Sequence, residues 1–279
     1  MIAVLYGLVA AAFYGAADFC GGLATRRTSI FAVTIFSQLA GFVLLVAIVP
    51  FVHADPRVSD YAWGALSGVC GGVGLALLYH ALSIGKMGVV SPITAVLAAA
   101  GPAIFGVIVR HESLAWFQFA GIGIALIAVV LISLSHEDDG RLEFSTAGVR
   151  EAIASGIVIG GFYLFLGVAR PEAGLHPLLA ARFASALFLA LVALIARRSI
   201  VPANGIAPLI LLAGAIDMSA NVFFVLADHA GQLSIAAVLT SLYPASTVIL
   251  ARAVLHERLA SIQKVGVALA LAGVACIAA

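Results

Sequence analysis

Charge is what this chain has least of. Of its 279 residues, 10% are Asp, Glu, Lys or Arg, against about 25% in a soluble domain. That is too few to cover a water-facing surface, and the mean hydropathy of +1.18 agrees. The formal net charge of +1 excludes the basic footprint by which nucleic acid is bound. Cysteine is scarce too. Cys20, Cys70 and Cys276 each lie inside an apolar run, without metal-ligand spacing, so neither a metal centre nor a disulfide framework is expected. No nucleotide-binding loop of the Gly-x4-Gly-Lys-Ser/Thr type occurs, which removes the usual signature of ATP use. The first apolar run has no basic segment before it and is too long for a signal peptide, so it reads as a retained helix.

Long apolar runs are what the chain has instead. A membrane span needs about 20 mostly apolar residues. Candidates are Ile2–Ala24, Ile30–Val52, Ala62–Ser83, Gly88–Val109 and Leu114–Leu134, then Ala147–Ala169, His176–Ala196, Gly205–Ala227, Gln232–Ala253 and Ser261–Ala278. The runs are continuous rather than alternating, which argues for helices and against barrel strands of about ten residues. The expected fold class is an all-α integral membrane protein with ten transmembrane helices.

The chain also repeats itself at an offset of about 145 residues. Arg110-His111-Glu112-Ser113-Leu114 returns as Leu255-His256-Glu257-Arg258-Leu259, Gln118 as Gln263, Gly121 as Gly266, and Gly15 as Gly160. The expected organisation is a first five-helix repeat over 1–135, a polar linker over 136–146 and a second repeat over 147–279. Five is odd, so the second copy enters the membrane from the other side. Such inverted repeats recur in secondary transporters, with the substrate site near the midplane.

Loop cations set orientation. Arg26, Arg27, Lys86, Arg141, Arg150, Arg197, Arg198, Arg252, Arg258 and Lys264 fall on one side, and Arg57, Arg110 and Arg170 on the side of the termini. That bias puts the termini away from the cytoplasm.

These features resemble the EamA family of the drug/metabolite transporter superfamily. The resemblance rests on the five-plus-five layout, Tyr14-Gly15-Ala16-Ala17-Asp18-Phe19 in the first helix, Ala181-Arg182-Phe183 in the seventh, and the Glu-x-Leu turns at Glu112 and Glu257. It implies a carrier of the bacterial inner membrane, in many members an exporter of amino acids or other small metabolites. Members are often described with cytoplasmic termini, from which the charge bias departs. Ser37 stands in the first copy where the second has Arg182.

An ionisable group inside a span costs about 3 kcal/mol on insertion scales and usually faces a cavity or a partner. Asp18, His80, Arg182 and Asp217 are such groups. Asp18 shares a helix stripe with Tyr14, and its repeat equivalent is Tyr163; both positions are expected to line a cavity, a packing role for Asp18 being the alternative. Asp217 has Asn221 one turn on, and its equivalent is Gly71, so the fold itself does not require the charge. Arg182 is free to pair with Asp217 or Asp18, to bind a substrate carboxylate, or to snorkel to headgroups. Tyr79 and His80 end the third helix, where a structural histidine competes with a switching one. Thr240 and Tyr243 share a face near Pro244, and Thr94 follows Pro92; proline in a span frees a backbone carbonyl.

Two features are assigned to structure rather than chemistry. Glu112 and Glu257 precede helices five and ten, where a carboxylate favours the positive helix end. The glycines at 68, 71, 72 and 74 allow close helix contact. The expected function is alternating-access transport of small polar metabolites, coupled to protons through Asp18 or Asp217, with lipid as surroundings and no cofactor. An intramembrane enzyme would need a nucleophile–base pair, metal cluster or paired carboxylates at depth, and no His or Cys motif supplies one. A receptor or assembly factor would be expected to carry more mass outside the spans.

Overall fold

In a computed structural model the described residues are 1–85, 87–133, 147–255 and 261–278. The expected linker, Lys86, Arg141 and the second His-Glu turn with Arg258 lie outside them.

Apolar segments in lipid must satisfy every backbone N–H and C=O internally, and a helix does so within one segment. The described residues accordingly form α1 (Ile2–Thr25), α2 (Ile30–Ile48), α3 (Val58–Ile84), α4 (Met87–Ile108), α5 (Trp116–Ser133), α6 (Val149–Val168), α7 (His176–Ile195), α8 (Ala207–Ala230), α9 (Leu233–Thr240), α10 (Tyr243–Leu255) and α11 (Ser261–Ala278). No strand occurs among them. The ten expected segments are thus eleven helices. The ninth is broken at Ser241–Leu242, because Pro244 has no N–H to offer the Thr240 carbonyl and the Ser241 hydroxyl donates to Val238 O at 2.7 Å. Among the described residues six helices, α1, α2, α3, α6, α7 and α8, are long and apolar enough to cross a membrane, and shorter apolar stretches occur in α4, α5 and α9–α10.

Packing follows the repeat. Within the molecule α1 lies along α8 and α3 along α6, α2 packs on α8 and α3 on α7, and α4 packs on α6 as α9 and α10 do on α1. Helices α5 and α11 pair with each other, as do α2 and α7, and α4 and α9. Exchanging the halves returns these same pairs, whereas α1 also packs on α2 and α3, and α2 on α3, without counterparts of similar extent among α6, α7 and α8. The close approaches match as well. A Cβ on Gly68 would collide with the Ala181 carbonyl, and one on Gly214 with the Ser37 carbonyl. Gly85 lies against Ala147 and Gly231 against Ala3. Small residues let these backbones meet. Outside, Leu5, Val43, Ile157, Leu187, Leu191 and Leu194 are exposed, a lipid-compatible surface that water would penalise.

Candidate functional site

Between the two sets of helices lies a partly open pocket. Its polar wall comes from both repeats. Helix α1 supplies Tyr14 and Asp18, α2 Gln38, α6 Tyr163, α7 Arg182 and Ser185, α8 Asp217 and Asn221, and α10 Tyr243. Gly68, Gly71 and Gly72 of α3 give the space, with Phe162, Leu75 and Leu78 as apolar wall.

One ion pair dominates the interior. Arg182 Nη2 donates to Asp217 Oδ2 at 2.6 Å, while Arg182 Nη1 donates to Gln38 Oε1. Arg182 and Asp217 are 5% and 6% exposed, so Arg182 does not snorkel. Asn221 Nδ2 donates to the Asp217 carbonyl at 2.8 Å and more weakly to its carboxylate at 3.4 Å. A buried pair holds only when both charges stay compensated, and here amides from α2 and α8 complete it. Asp18 is buried as well and makes no hydrogen bond or ion pair among the described residues.

Aromatic rings close the site. Tyr14 and Tyr163 meet edge-to-face with centroids 6.3 Å apart, and Tyr163 packs on Phe224 at 4.5 Å. Tyr243 donates to Ser91 O at 3.1 Å, tying α10 to α4. Thr247 and Ser246 donate to Gly15 O and Ala11 O at 3.1 and 3.0 Å, tying α10 to α1.

The structure therefore gathers Tyr14, Asp18, Tyr163, Arg182, Asp217, Asn221 and Tyr243 around one pocket. Four other candidates do not line it. Tyr79 is buried under Gly21. His80, part-buried near the end of α3, accepts the Ser83 hydroxyl at its carbonyl at 2.7 Å. Thr94 donates to Ala152 O at 3.2 Å and joins α4 to α6. Thr240 is buried at the helix break. Sequence reasoning missed Gln38 and Ser185. A search for amides and hydroxyls inside spans, beside the search for charges, would have found both.

The Glu112 expectation needs correction. Its carboxylate does not cap α5, the next helix. It accepts from the backbone N–H of Leu233 and Ser234 at 2.9 and 3.1 Å, and from the Ser234 hydroxyl, at the start of α9. The chain turns back through a left-handed His111, φ 53, and this aims Glu112 across the molecule. Beside α5, Gln118 Oε1 accepts from Ala115 N at 2.9 Å.

A helical molecule whose packing repeats, around a pocket lined from both copies, has a match among known families. The profile of the EamA-like transporter family fits the chain twice, over residues 1–134 and 146–279. The chain belongs to that family. It is a multi-pass membrane protein of the drug/metabolite transporter superfamily, built of two EamA repeats. An uncharacterized protein of Methanocaldococcus jannaschii is 29% identical over 140 residues, which are 48% of this chain and 98% of that protein. That relative has the length of a single EamA repeat. A solved crystal structure shares the fold, with a TM-score of 0.71 over 98% of this chain and 95% of its own at 17% identity.

Proposed function

We propose that this EamA protein is a secondary carrier of small polar metabolites, amino acids or related compounds, working in the export direction across a bacterial inner membrane. Its ten segments cross the bilayer as two repeats, 1–135 and 147–279, of opposite orientation, and the pocket stands at mid-depth between them. The observation that carries this reading is the pocket itself. Charged side chains from α1, α7 and α8 are buried around one space whose walls come from both halves. Alternating access needs a site that two similar bundles share, so that rocking one against the other exposes it to each side in turn. The recurrence of the main contacts between the halves when they are exchanged supports two such bundles.

Proton coupling through Asp18 or Asp217 completes the proposal, since both are buried carboxylates on the wall of the pocket, where ionisable groups in spans commonly serve proton relays. The purified chain in liposomes loaded with unlabelled amino acids is expected to accumulate labelled substrate by counterflow. An imposed substrate gradient is expected to move protons. If Asp18→Asn and Asp217→Asn both leave that proton movement intact, the coupling fails. If no counterflow occurs across a broad metabolite panel, the carrier reading fails.

A further inference from the structure

The charges lining the pocket do not balance. Two carboxylates and one guanidinium, Asp18, Asp217 and Arg182, face the space. Arg182 and Asp217 neutralise one another at 2.6 Å, and the other guanidinium arm is held by Gln38. Asp18 is left over: 4% exposed, without a donor among the described residues, and on the wall of the same pocket as Asp217. A carboxylate removed from water without a donor is strongly disfavoured in its charged form, unless an opposite charge arrives.

A second observation points the same way. Both contacts of Asn221 with Asp217 are made through Nδ2. Its Oδ1 is buried and has no partner. An amide oxygen in that state needs an N–H or O–H donor, and the pocket is where one could enter. Arg182, in contrast, is committed. To take a substrate carboxylate it would have to release Asp217 and leave that charge buried alone, a change that is strongly destabilising.

We infer that the pocket selects a protonated amine carrying one net positive charge, with the ammonium on Asp18 and Asn221 Oδ1, and that Arg182 is a fixed counter-ion rather than a carboxylate clamp. This rests on the proposed carrier function and, among its substrates, favours amines of net positive charge over zwitterionic amino acids. Amines with N–H groups satisfy both acceptors; neutral alcohols satisfy one hydrogen bond and no charge; carboxylates meet the excess negative charge.

The test uses the purified full-length chain and three probes of nearly equal size, phenethylamine, 2-phenylethanol and 3-phenylpropionate, titrated by calorimetry at pH 7. The amine is expected to bind roughly 10- to 100-fold more tightly than the alcohol, the range for a charge-assisted contact, and the carboxylate most weakly. Asp18→Asn is expected to abolish the preference and Asp18→Glu to restore part of it. Equal or tighter binding of the alcohol or carboxylate overturns the inference, as does amine binding unchanged in Asp18→Asn or absent up to millimolar concentration. The wild-type ligand order decides the question even if Asp18→Asn does not fold. Liposome counterflow separates the two readings. Amine binding without counterflow of any substrate keeps the amine site and sinks the carrier. Counterflow of a carboxylate without amine binding does the reverse.

Discussion

Arg182 holds α2, α7 and α8 together through two side-chain oxygens, those of Gln38 and Asp217. Removing the guanidinium leaves Asp217 buried and uncompensated, which is worth about 3–5 kcal/mol. Arg182→Met is therefore expected to lower stability by that order, as read from denaturation of the purified protein. The double variant Arg182→Met/Asp217→Leu is expected to recover most of the loss, because a well-packed apolar pair can replace a buried ion pair at little cost. Equal losses in the single and double variants would show that an uncompensated Asp217 is not what destabilises Arg182→Met. At this scale the sequence was informative where residues were rare. Asp18, Arg182 and Asp217 stood out because so few charges lie inside spans, and all three reach the pocket. Gln38 was silent, since one amide in an apolar helix carries no sign that it will accept from an arginine 144 positions away.

Helix boundaries were legible for a simpler reason. Apolar runs long enough to span leave the backbone one local solution, and Ser261–Ala278 was read to the residue. Pro244 likewise announced a disturbance in its helix, though not a complete break. The partner of Glu112 was not legible. A carboxylate just before a helix is normally assigned to that helix, and only the fold brings it to an N-terminus 121 residues on. Arg110 reinforces this junction by donating to Asp228 at 2.7 Å and to the Gly167 carbonyl, both in the second repeat. Glu112→Gln keeps the shape and loses the charge at the positive end of α9. Loss of an N-terminal cap costs about 0.5–2 kcal/mol. Amide exchange at Leu233 and Ser234 is expected to quicken several-fold in this variant, with the start of α5 unchanged. Faster exchange at α5 instead would return Glu112 to the helix that follows it.

At the scale of the molecule, repetition in the sequence foretold repetition in the packing, down to Gly68 and Gly214 meeting carbonyls of equivalent partner helices. Orientation is a separate matter, because a fold with two exchangeable halves can be inserted either way up and the choice falls to loop cations. Of the three cations on the side of the termini, Arg110 is paired with Asp228 and Arg170 with Asp60, each at 2.7 Å, and Asp55, Glu112 and Glu172 come from the same loops. Such pairs act as structural staples between the repeats, since Arg170 also donates to Asp55 O at 3.0 Å. The opposite side carries Arg26, Arg27, Arg150, Arg197, Arg198 and Lys264 among the described residues, with Glu151 as an acid. We predict that both termini face away from the cytoplasm. Alkaline phosphatase fused after residue 279 is expected to be active and a fluorescent protein fused there to stay dark. Replacing Arg26, Arg27, Arg197 and Arg198 together with neutral residues is expected to produce a mixed population, because two loops on the retained side then lose their charge. A bright fluorescent fusion with inactive phosphatase would reverse the orientation and with it the direction in which the pocket exports, while leaving the pairing of the halves as it stands.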